Sequence, residues 1–160
     1  MHIKSFDGQR EDEEIIAVWR QHPWVLSRSA LIGALIIAVG SLPEAIWSPS
    51  WGWGAVLIFA AIALIFGGIR FYLWFNTIYI LTNQRIMAIC QKGVMYRTTN
   101  EVPLQNIQNV CHTKKGLSQM LLDFGEVEIE TSGAKTAMII KNIERPYKVQ
   151  QRILARQEKE

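Results

Sequence analysis

Two long uncharged apolar stretches near the start of the chain constrain its fold more than any other feature. They run from Ser29 to Pro43 and from Ala45 to Ile69. Hydrocarbon in a bilayer is about 30 Å thick, so a helix needs roughly 20 apolar residues to cross it. With their flanks, Trp24–Leu42 and Trp53–Trp74 supply 19 and 22 residues, or about 28 and 33 Å of helix. The sequence therefore predicts a membrane hairpin.

Two other interpretations of these stretches are a buried helical pair in a soluble core and a cleaved signal peptide. A soluble pair would show a polar stripe on the water-facing side of each helix, and neither stretch has one. The apolar run begins about 24 residues into the chain, follows an acidic segment and lacks a convincing cleavage site, which disfavours a signal peptide.

Residues suited to the membrane surface flank the two predicted spans, which cover about 25–43 and 53–74. Tryptophan is enriched at the level of the headgroups, and arginine at the end of a span can extend its charge into the same layer. The predicted interface anchors are Trp24, Arg28, Trp47, Trp51, Trp53, Arg70 and Trp74. Neither span has an ionisable residue at its centre, which disfavours a pump, an ion channel or a proton pathway made by this chain alone.

The distribution of Lys and Arg predicts the orientation of the hairpin. The connector from Leu42 to Trp53 contains no basic residue, whereas both outer flanks of the hairpin do. Because basic residues beside membrane spans are retained in the cytoplasm, both termini are predicted to be cytoplasmic. We expect a multi-pass protein of the cytoplasmic (inner) membrane, in contact with membrane lipids, with residues 1–24 as a cytoplasmic N-terminal segment.

The N-terminal segment carries the pattern of a short amphipathic helix over Arg10–Trp19. Its first turn is acidic, as the helix dipole favours, and isoleucines with a tryptophan supply an apolar side. Within the spans, small residues recur about once per turn and would let helix backbones approach closely in lipid. The predicted contact faces are Ala30, Ala34 and Ala38 in the first span and Ala60, Ala63 and Gly67 in the second.

After Asn76 the pattern changes to short β segments separated by turns. Strands are predicted over Thr77–Thr82, Arg85–Gln91, Val94–Thr99, Ile107–His112, Glu126–Thr131 and Ala137–Ile143, with a strand border at Val102-Pro103-Leu104. A short helical piece is predicted within Gly116–Leu122, and a terminal helix over about 146–157 with Val149, Ile153 and Leu154 as its core contacts. Residues 76–160 are thus predicted to form one small cytoplasmic domain of about seven antiparallel strands and a helix, and the fold class is α+β.

Three blocks of this domain and the entry to the hairpin carry a resemblance to a known family. The blocks are Tyr79–Ile86, Val102–Val110 and Gly125–Gly133, and the entry is Trp19-Arg20-Gln21-His22-Pro23. In order and spacing they resemble the bacterial pleckstrin-homology-like membrane family, formerly a domain of unknown function. The resemblance implies a membrane hairpin followed by a small PH-like barrel or sandwich of two antiparallel sheets, closed at one end by a helix.

The resemblance implies no reaction, because this fold serves elsewhere as a scaffold for lipids, peptides or proteins. The leading hypothesis is a non-enzymatic membrane protein whose PH-like module scaffolds or stabilises partner proteins, or serves as an accessory subunit of a larger membrane complex. A membrane-protein partner or a homo-oligomer is expected. The alternative is a sensor of anionic lipid headgroups.

Basic side chains are the candidate contacts for lipid or partner. Residues 70–160 hold thirteen basic and eight acidic residues, a balance that suits an anionic leaflet as well as a solvated basic face. The candidates are the loop residues Lys92, Lys114, Lys115 and Lys135 and the stripe Arg145, Lys148, Arg152 and Arg156. Nucleic acid is not expected as a partner, because the aromatic platforms and dense basic patch that it requires are missing.

No catalytic, cofactor or metal site is predicted. Glu126, Glu128 and Glu130 share one face of a predicted strand, but such a row is typical of a solvated surface. The spacing of Cys90 and Cys111 matches no zinc motif, and both are interpreted as small, reduced, buried side chains.

Overall fold

The computed structural model describes residues 9–10, 12–47, 51–132 and 134–157, with the backbone alone over 134–137. The chain divides into two compact units. The hairpin unit comprises residues 23–75, and the β unit combines the segment before it with the segment after it. Residues 48–50 of the connector and Gly133, between the last two predicted strands, lie outside the described residues.

The hairpin unit consists of helices α1 (Val25–Trp47) and α2 (Gly52–Phe75). Both are long and apolar enough to cross a membrane. The predicted spans agree with these bounds, but α1 continues through Pro43 for another turn, so the connector is shorter than predicted. A proline near a helix end removes one backbone hydrogen bond, and the remaining main-chain groups of the last turn still favour the helical conformation.

The two helices pack through small residues, as predicted for α2 but not for α1. Ala63 of α2 is buried, whereas Ala30, Ala34 and Ala38 of α1 are exposed. The buried positions of α1 are Ser29 and Gly40. A Cβ atom on Gly40 would lie 2.4 Å from the Cβ atom of Phe59. Near the other end of α1, Arg70 Nε donates a hydrogen bond to Ser29 Oγ at 3.1 Å.

Replacing Gly40 with Ala should destabilise the hairpin by about 1–3 kcal/mol, because the new methyl group overlaps the Phe59 side chain. The matched control is Gly33→Ala, since nothing lies within 4 Å of a Cβ atom on Gly33. Thermal loss of helical circular dichroism in detergent should begin at a lower temperature for G40A alone. Equal midpoints for the two variants would contradict this packing.

The described residues of the β unit form seven strands, two further α-helices and a single 3-10 turn at Leu104–Asn106. The strands are β1 (Ile15–Arg20), β2 (Ile78–Thr82), β3 (Arg85–Gln91), β4 (Arg97–Pro103), β5 (Ile107–Thr113), β6 (Phe124–Thr131) and β7 (Ala134–Glu144). The helices are the short α3 (Leu117–Leu121) and the terminal α4 (Pro146–Gln157). All pairings are antiparallel, in the orders β1-β2-β3-β4 and β5-β6-β7.

The prediction of a helix over Arg10–Trp19 is wrong, because residues 15–20 form strand β1. This strand pairs with β2, with Ala17 opposite Leu81 and Arg20 opposite Ile78. A run of five apolar residues with β-branched members suits a strand, and pairing with β2 outweighs the acidic turn before it. The N-terminal segment is therefore part of the β unit, and the hairpin is inserted between the first two strands.

The other strand predictions hold apart from their bounds. The predicted strand Val94–Thr99 is displaced to Arg97–Pro103, because residues 94–96 form the turn after β3. The alternation predicted for β6 is confirmed, with Val127 and Ile129 buried and the glutamates between them partly exposed. Strand β7 begins at Ala134, three residues before its predicted start at Ala137.

The core lies between the two sheets and under α4. It includes fully buried side chains from both sheets and from the helix: Leu81, Ile86, Leu104, Val127, Ile129, Ile140, Ile143 and Ile153. Leu154, predicted to be a core contact, is instead exposed at the surface of α4. The first sheet also carries a second apolar cluster, Ile80, Met87 and Ile89, which explains why β2 and β3 are continuous apolar runs rather than alternating ones.

Candidate functional site

One end of the β unit is defined by the two points at which the chain connects to the hairpin. His22 precedes the hairpin and Asn76 follows it, and antiparallel pairing brings these points together because Arg20 lies opposite Ile78. Gln91, at the end of β3, donates its backbone N–H to Thr77 Oγ1 at 3.4 Å. We call this the anchor end. It includes the β3–β4 turn, and the opposite end of the strands is the far end.

The second sheet reaches the anchor end through His22. The backbone N–H of His22 donates to the carbonyl oxygen of Asn142 at 2.7 Å. Its ring stacks on Phe124, with centroids 4.8 Å apart and an interplanar angle of 7°. Phe124 begins β6 directly after α3, so α3 also belongs to the anchor end.

Tyr79 fixes the same junction from inside the core. Its buried hydroxyl accepts hydrogen bonds from Gln21 Nε2 at 3.4 Å and from the backbone N–H of Lys141 at 3.2 Å. Burial raises the pKa of the Tyr79 hydroxyl above its usual value, so the group stays protonated. Strands β1, β2 and β7 are thereby joined at the anchor end.

Two groups of large apolar side chains are exposed at the anchor end. The β3–β4 turn presents Val94, Met95 and Tyr96, and α3 presents Leu117, Met120 and Leu121. The most exposed of them are Met95 at 99% and Leu121 at 83%. Large apolar side chains that are exposed together in one segment mark interaction sites in soluble domains and at membranes.

Basic side chains surround α3, partly paired with acidic neighbours. Lys114 Nζ lies 2.5 Å from Asp123 Oδ1, and Lys115 Nζ lies 3.2 Å from Glu126 Oε2. Lys114, and more weakly Arg145 and Lys148, lower the pKa of the Asp123 carboxyl below its usual value. The basic candidates of the loop and of the start of α4 therefore converge around Asp123.

The backbone around Asp123 is held in an uncommon conformation. Asp123 and Arg145 have φ angles of 50° and 51°, in the left-handed region. The backbone N–H of Arg145 donates to the carbonyl oxygen of Asp123 at 2.8 Å, which joins the two turns. Nearby, a Cβ atom on Gly125 would lie 2.5 Å from the carbonyl oxygen of Thr113, so β5 can approach β6 here only because residue 125 is glycine. Strained backbone is often retained where a surface has a function.

The structure brings together five of the eight predicted basic contacts. Those at the anchor end are Lys92, Lys114, Lys115, Arg145 and Lys148. Lys135 lies beside the β6–β7 turn at the far end, and Arg152 and Arg156 lie further along α4. The apolar members of this surface were not predicted as contacts. Val94-Met95-Tyr96 and Met120-Leu121-Leu122 are apolar runs that follow shortly after Gly93 and Gly116, and this proximity to glycine is the signal that could have identified them.

Other polar groups of the described residues make local contacts. Glu126 and Glu130 take part in surface contacts, Glu130 Oε2 accepting from Asn109 Nδ2 at 3.2 Å. Within the described residues, no group of three or more His, Cys, Asp or Glu side chains is arranged to hold a metal ion. Cys111 is exposed, contrary to prediction, whereas Cys90 is half-buried and burial raises its thiol pKa.

The far end is closed by a buried ion pair that sequence analysis missed. Arg85 Nε and Nη2 donate to the two carboxylate oxygens of Glu13 at 2.8 Å each, and Thr82 Oγ1 also donates to this carboxylate at 2.8 Å. Arg85 Nη1 contacts Glu101 Oε2 at 2.5 Å. The Glu13 side chain is fully buried, and the Arg85 hydrogen bonds lower its pKa to about 2.

The family follows from the sequence match. The family model described as "Bacterial PH domain" matches residues 29–157 of the chain. This chain belongs to the bacterial PH domain family. A solved structure, a DUF1696 family protein with a pleckstrin-homology domain from Shewanella loihica PV-4, is similar to this bacterial PH domain protein at 18% identity. The match covers 52% of this chain and 73% of that one, with a TM-score of 0.42. No curated protein matches.

The family block Thr82-Asn83-Gln84-Arg85 thus has a structural role in this PH domain. Besides the Arg85 ion pair, Asn83 Oδ1 accepts from the backbone N–H of Glu14 at 2.9 Å, and Asn83 Nδ2 donates to the carbonyl oxygen of Asp12 at 2.9 Å. The β2–β3 turn therefore holds the residues that precede β1. Strand β1 itself lies outside the matched residues.

Replacing Glu13 with Gln should weaken the attachment of β1 by about 3 kcal/mol, because Arg85 loses its buried charge partner. Hydrogen exchange of the β1 amides in the full-length protein should then be about a hundredfold faster. Glu14→Gln, at an exposed neighbouring position, is the control and should leave the exchange unchanged.

The same ion pair predicts a pH dependence of β1 protection. The folded pKa of Glu13, about 2, lies below the unfolded value of 4.5. The contribution of Glu13 to the stability of the attached β1 strand is therefore complete above pH 4.5 and is lost as the pH falls toward 2. This loss should be absent in E13Q. An identical acid profile in both proteins would refute the role of Glu13.

Proposed function

We propose that this bacterial PH domain protein is a non-enzymatic interaction module held at the cytoplasmic face of the inner membrane. There it recruits or stabilises a partner protein, as a scaffold or an accessory subunit of a membrane complex. The observation that supports this role is the insertion of the hairpin between β1 and β2. Because the hairpin lies in the chain between the first two strands, the folded module is attached to its membrane anchor at two neighbouring points of one sheet.

A binding role also fits the chemistry of the β unit. Among the described residues, the buried charged side chains, Glu13 and Arg85, pair with each other and hold β1 in place. Catalytic groups, in contrast, need a cleft and access to substrate. The acidic row on β6 lies on the partly exposed face of the strand, and Glu126 and Glu130 contact neighbouring side chains.

The surface proposed for the partner protein is the outer edge of β4. In the described sheets β4 pairs only with β3, and Thr99 and Asn100 are exposed. The outer edge of β5 is covered instead, because Gln150 Nε2 and Gln157 Nε2 of α4 donate to the carbonyl oxygens of Val110 and Ile107 at 2.5 Å each. An open strand edge is a template on which an extended segment of another protein can add a strand.

Lysine on an edge strand opposes the addition of another strand, so Thr99→Lys with Asn100→Lys should prevent binding of the partner. The full-length protein, purified from its native membranes in mild detergent, should contain a second protein in a fixed ratio. In the double variant this ratio should fall at least about tenfold, which corresponds to about 1.4 kcal/mol.

The control carries the same added charge at exposed positions outside the first sheet, Ser132→Lys with Gln151→Lys, and should retain the partner. A wild-type protein that purifies as a free monomer, or as a homo-oligomer alone, would contradict the scaffold role. Equal loss of the partner in both double variants would contradict the assignment to β4.

A sensor of anionic lipid headgroups is the second candidate function. The observation that favours it is the convergence of Lys114, Arg145 and Lys148 around Asp123 at the anchor end. A sensor requires that the response depend on the identity of the headgroup and not only on its charge.

A further inference from the structure

We propose that the anchor end is a second membrane contact, in which the β3–β4 turn and α3 enter the headgroup layer of an anionic leaflet. The inference rests on the membrane location assigned under the proposed function. The hairpin alone would hold the β unit near the membrane but leave it free to tilt. Two apolar contacts beside the hairpin would fix its orientation.

The most exposed apolar side chains described in the β unit lie at its anchor end. The four large apolar side chains of the β unit with the greatest exposure among the described residues are Met95, Leu121, Leu117 and Met120, from 99% down to 66%. They belong to two segments that are far apart in sequence. Both segments nevertheless lie at the anchor end, although the exposure of their apolar side chains to water is unfavourable.

Both apolar segments are linked by contacts within the β unit to the residues that flank the hairpin. The ring of His22 stacks on Phe124, which follows α3. Pro23, the residue after His22, begins the hairpin unit. Thr77 accepts a hydrogen bond from Gln91, at the start of the β3–β4 turn. Each apolar segment therefore lies close to a residue in contact with one of the two chain connections to the hairpin. At these connections the chain must reach the bilayer surface.

Basic side chains border both apolar segments. The β3–β4 turn lies between Lys92 and Arg97, and α3 is bordered by Lys114, Lys115, Arg145 and Lys148. The acidic neighbours are Asp123, Glu126 and Glu144, each within 4 Å of one of these cations. Apolar side chains bordered by Lys and Arg are typical of segments that lie in the interface of an anionic membrane.

The test uses the full-length protein, reconstituted alone into vesicles of phosphatidylcholine with or without phosphatidylglycerol. An environment-sensitive fluorophore is attached at single cysteines, Met95→Cys or Leu121→Cys, with both native cysteines replaced by Ala. Nitroxide lipids labelled at the headgroup should quench either site about twofold when phosphatidylglycerol is present. Ser132→Cys, at the far end, is the control and should not be quenched.

Charge variants separate anionic attraction from simple proximity. Lys92→Glu with Lys148→Glu should abolish the additional quenching that phosphatidylglycerol produces. These two lysines take part in none of the ion pairs described above, so the local fold is preserved. Arg10→Glu with Arg152→Glu makes the same change in charge away from the anchor end and should have no effect.

A fluorophore at Ile62→Cys, midway along α2, distinguishes failure of this inference from failure of the membrane hairpin. Quenching at position 62 by lipids labelled deep in the acyl chain, with none at 95 and 121 by headgroup labels, would overturn the second contact alone. A blue shift at 121 without lipid quenching would mean contact with another protein copy and would also overturn it. Absence of quenching at 62 would contradict the hairpin and this inference together.

Discussion

The pairing of β1 with β2 places the segments before and after the hairpin side by side, with Arg20 opposite Ile78. Two consecutive strands of a sheet are usually joined by a short turn, and here the connection is an entire helical hairpin. Both chain connections to the hairpin must therefore lie at one end of the β unit. This constraint defines the anchor end, and the strand pairings then assign the other turns of the β unit to the anchor end or to the far end.

The two ends of the β unit are built from different interactions. At the far end, Glu13 and Arg85 are removed from water, and their desolvation is offset by hydrogen bonds with good geometry in addition to their mutual attraction. At the anchor end the charges are exposed, the backbone of Asp123 and Arg145 is in the left-handed region, and apolar side chains face outward. The far end thus closes the fold, whereas the anchor end has the properties of a contact surface.

The sequence predicts the long helices and most strands well, because their signals are local. Hydropathy and length define α1 and α2, and alternation defines β6, whose glutamates alternate with buried valine and isoleucine. Strand β1 was missed because its acidic approach resembles a helix start, and its partner is more than fifty residues away. Pairing across an insertion of that length leaves no local pattern.

The site was only partly predictable for the same reason. Single lysines such as Lys92 and Lys114 could be identified as loop cations, but their presence at one end depends on the register of five strand pairs. The role of Arg85 was hidden because its partner, Glu13, belongs to the segment interpreted as a helix. Exposed apolar residues in turns were passed over, since sequence alone does not distinguish them from core residues.

The most direct test of this account is the sidedness of single cysteines placed before, within and after the hairpin. A membrane-impermeant maleimide applied to intact cells should label Trp51→Cys, in variants in which the remaining native cysteines are replaced by Ala. Asp12→Cys and the native, exposed Cys111 should be labelled only after the inner membrane is permeabilised. Labelling of positions 12 and 111 from opposite sides would contradict the account, because β1 could not then pair with β2.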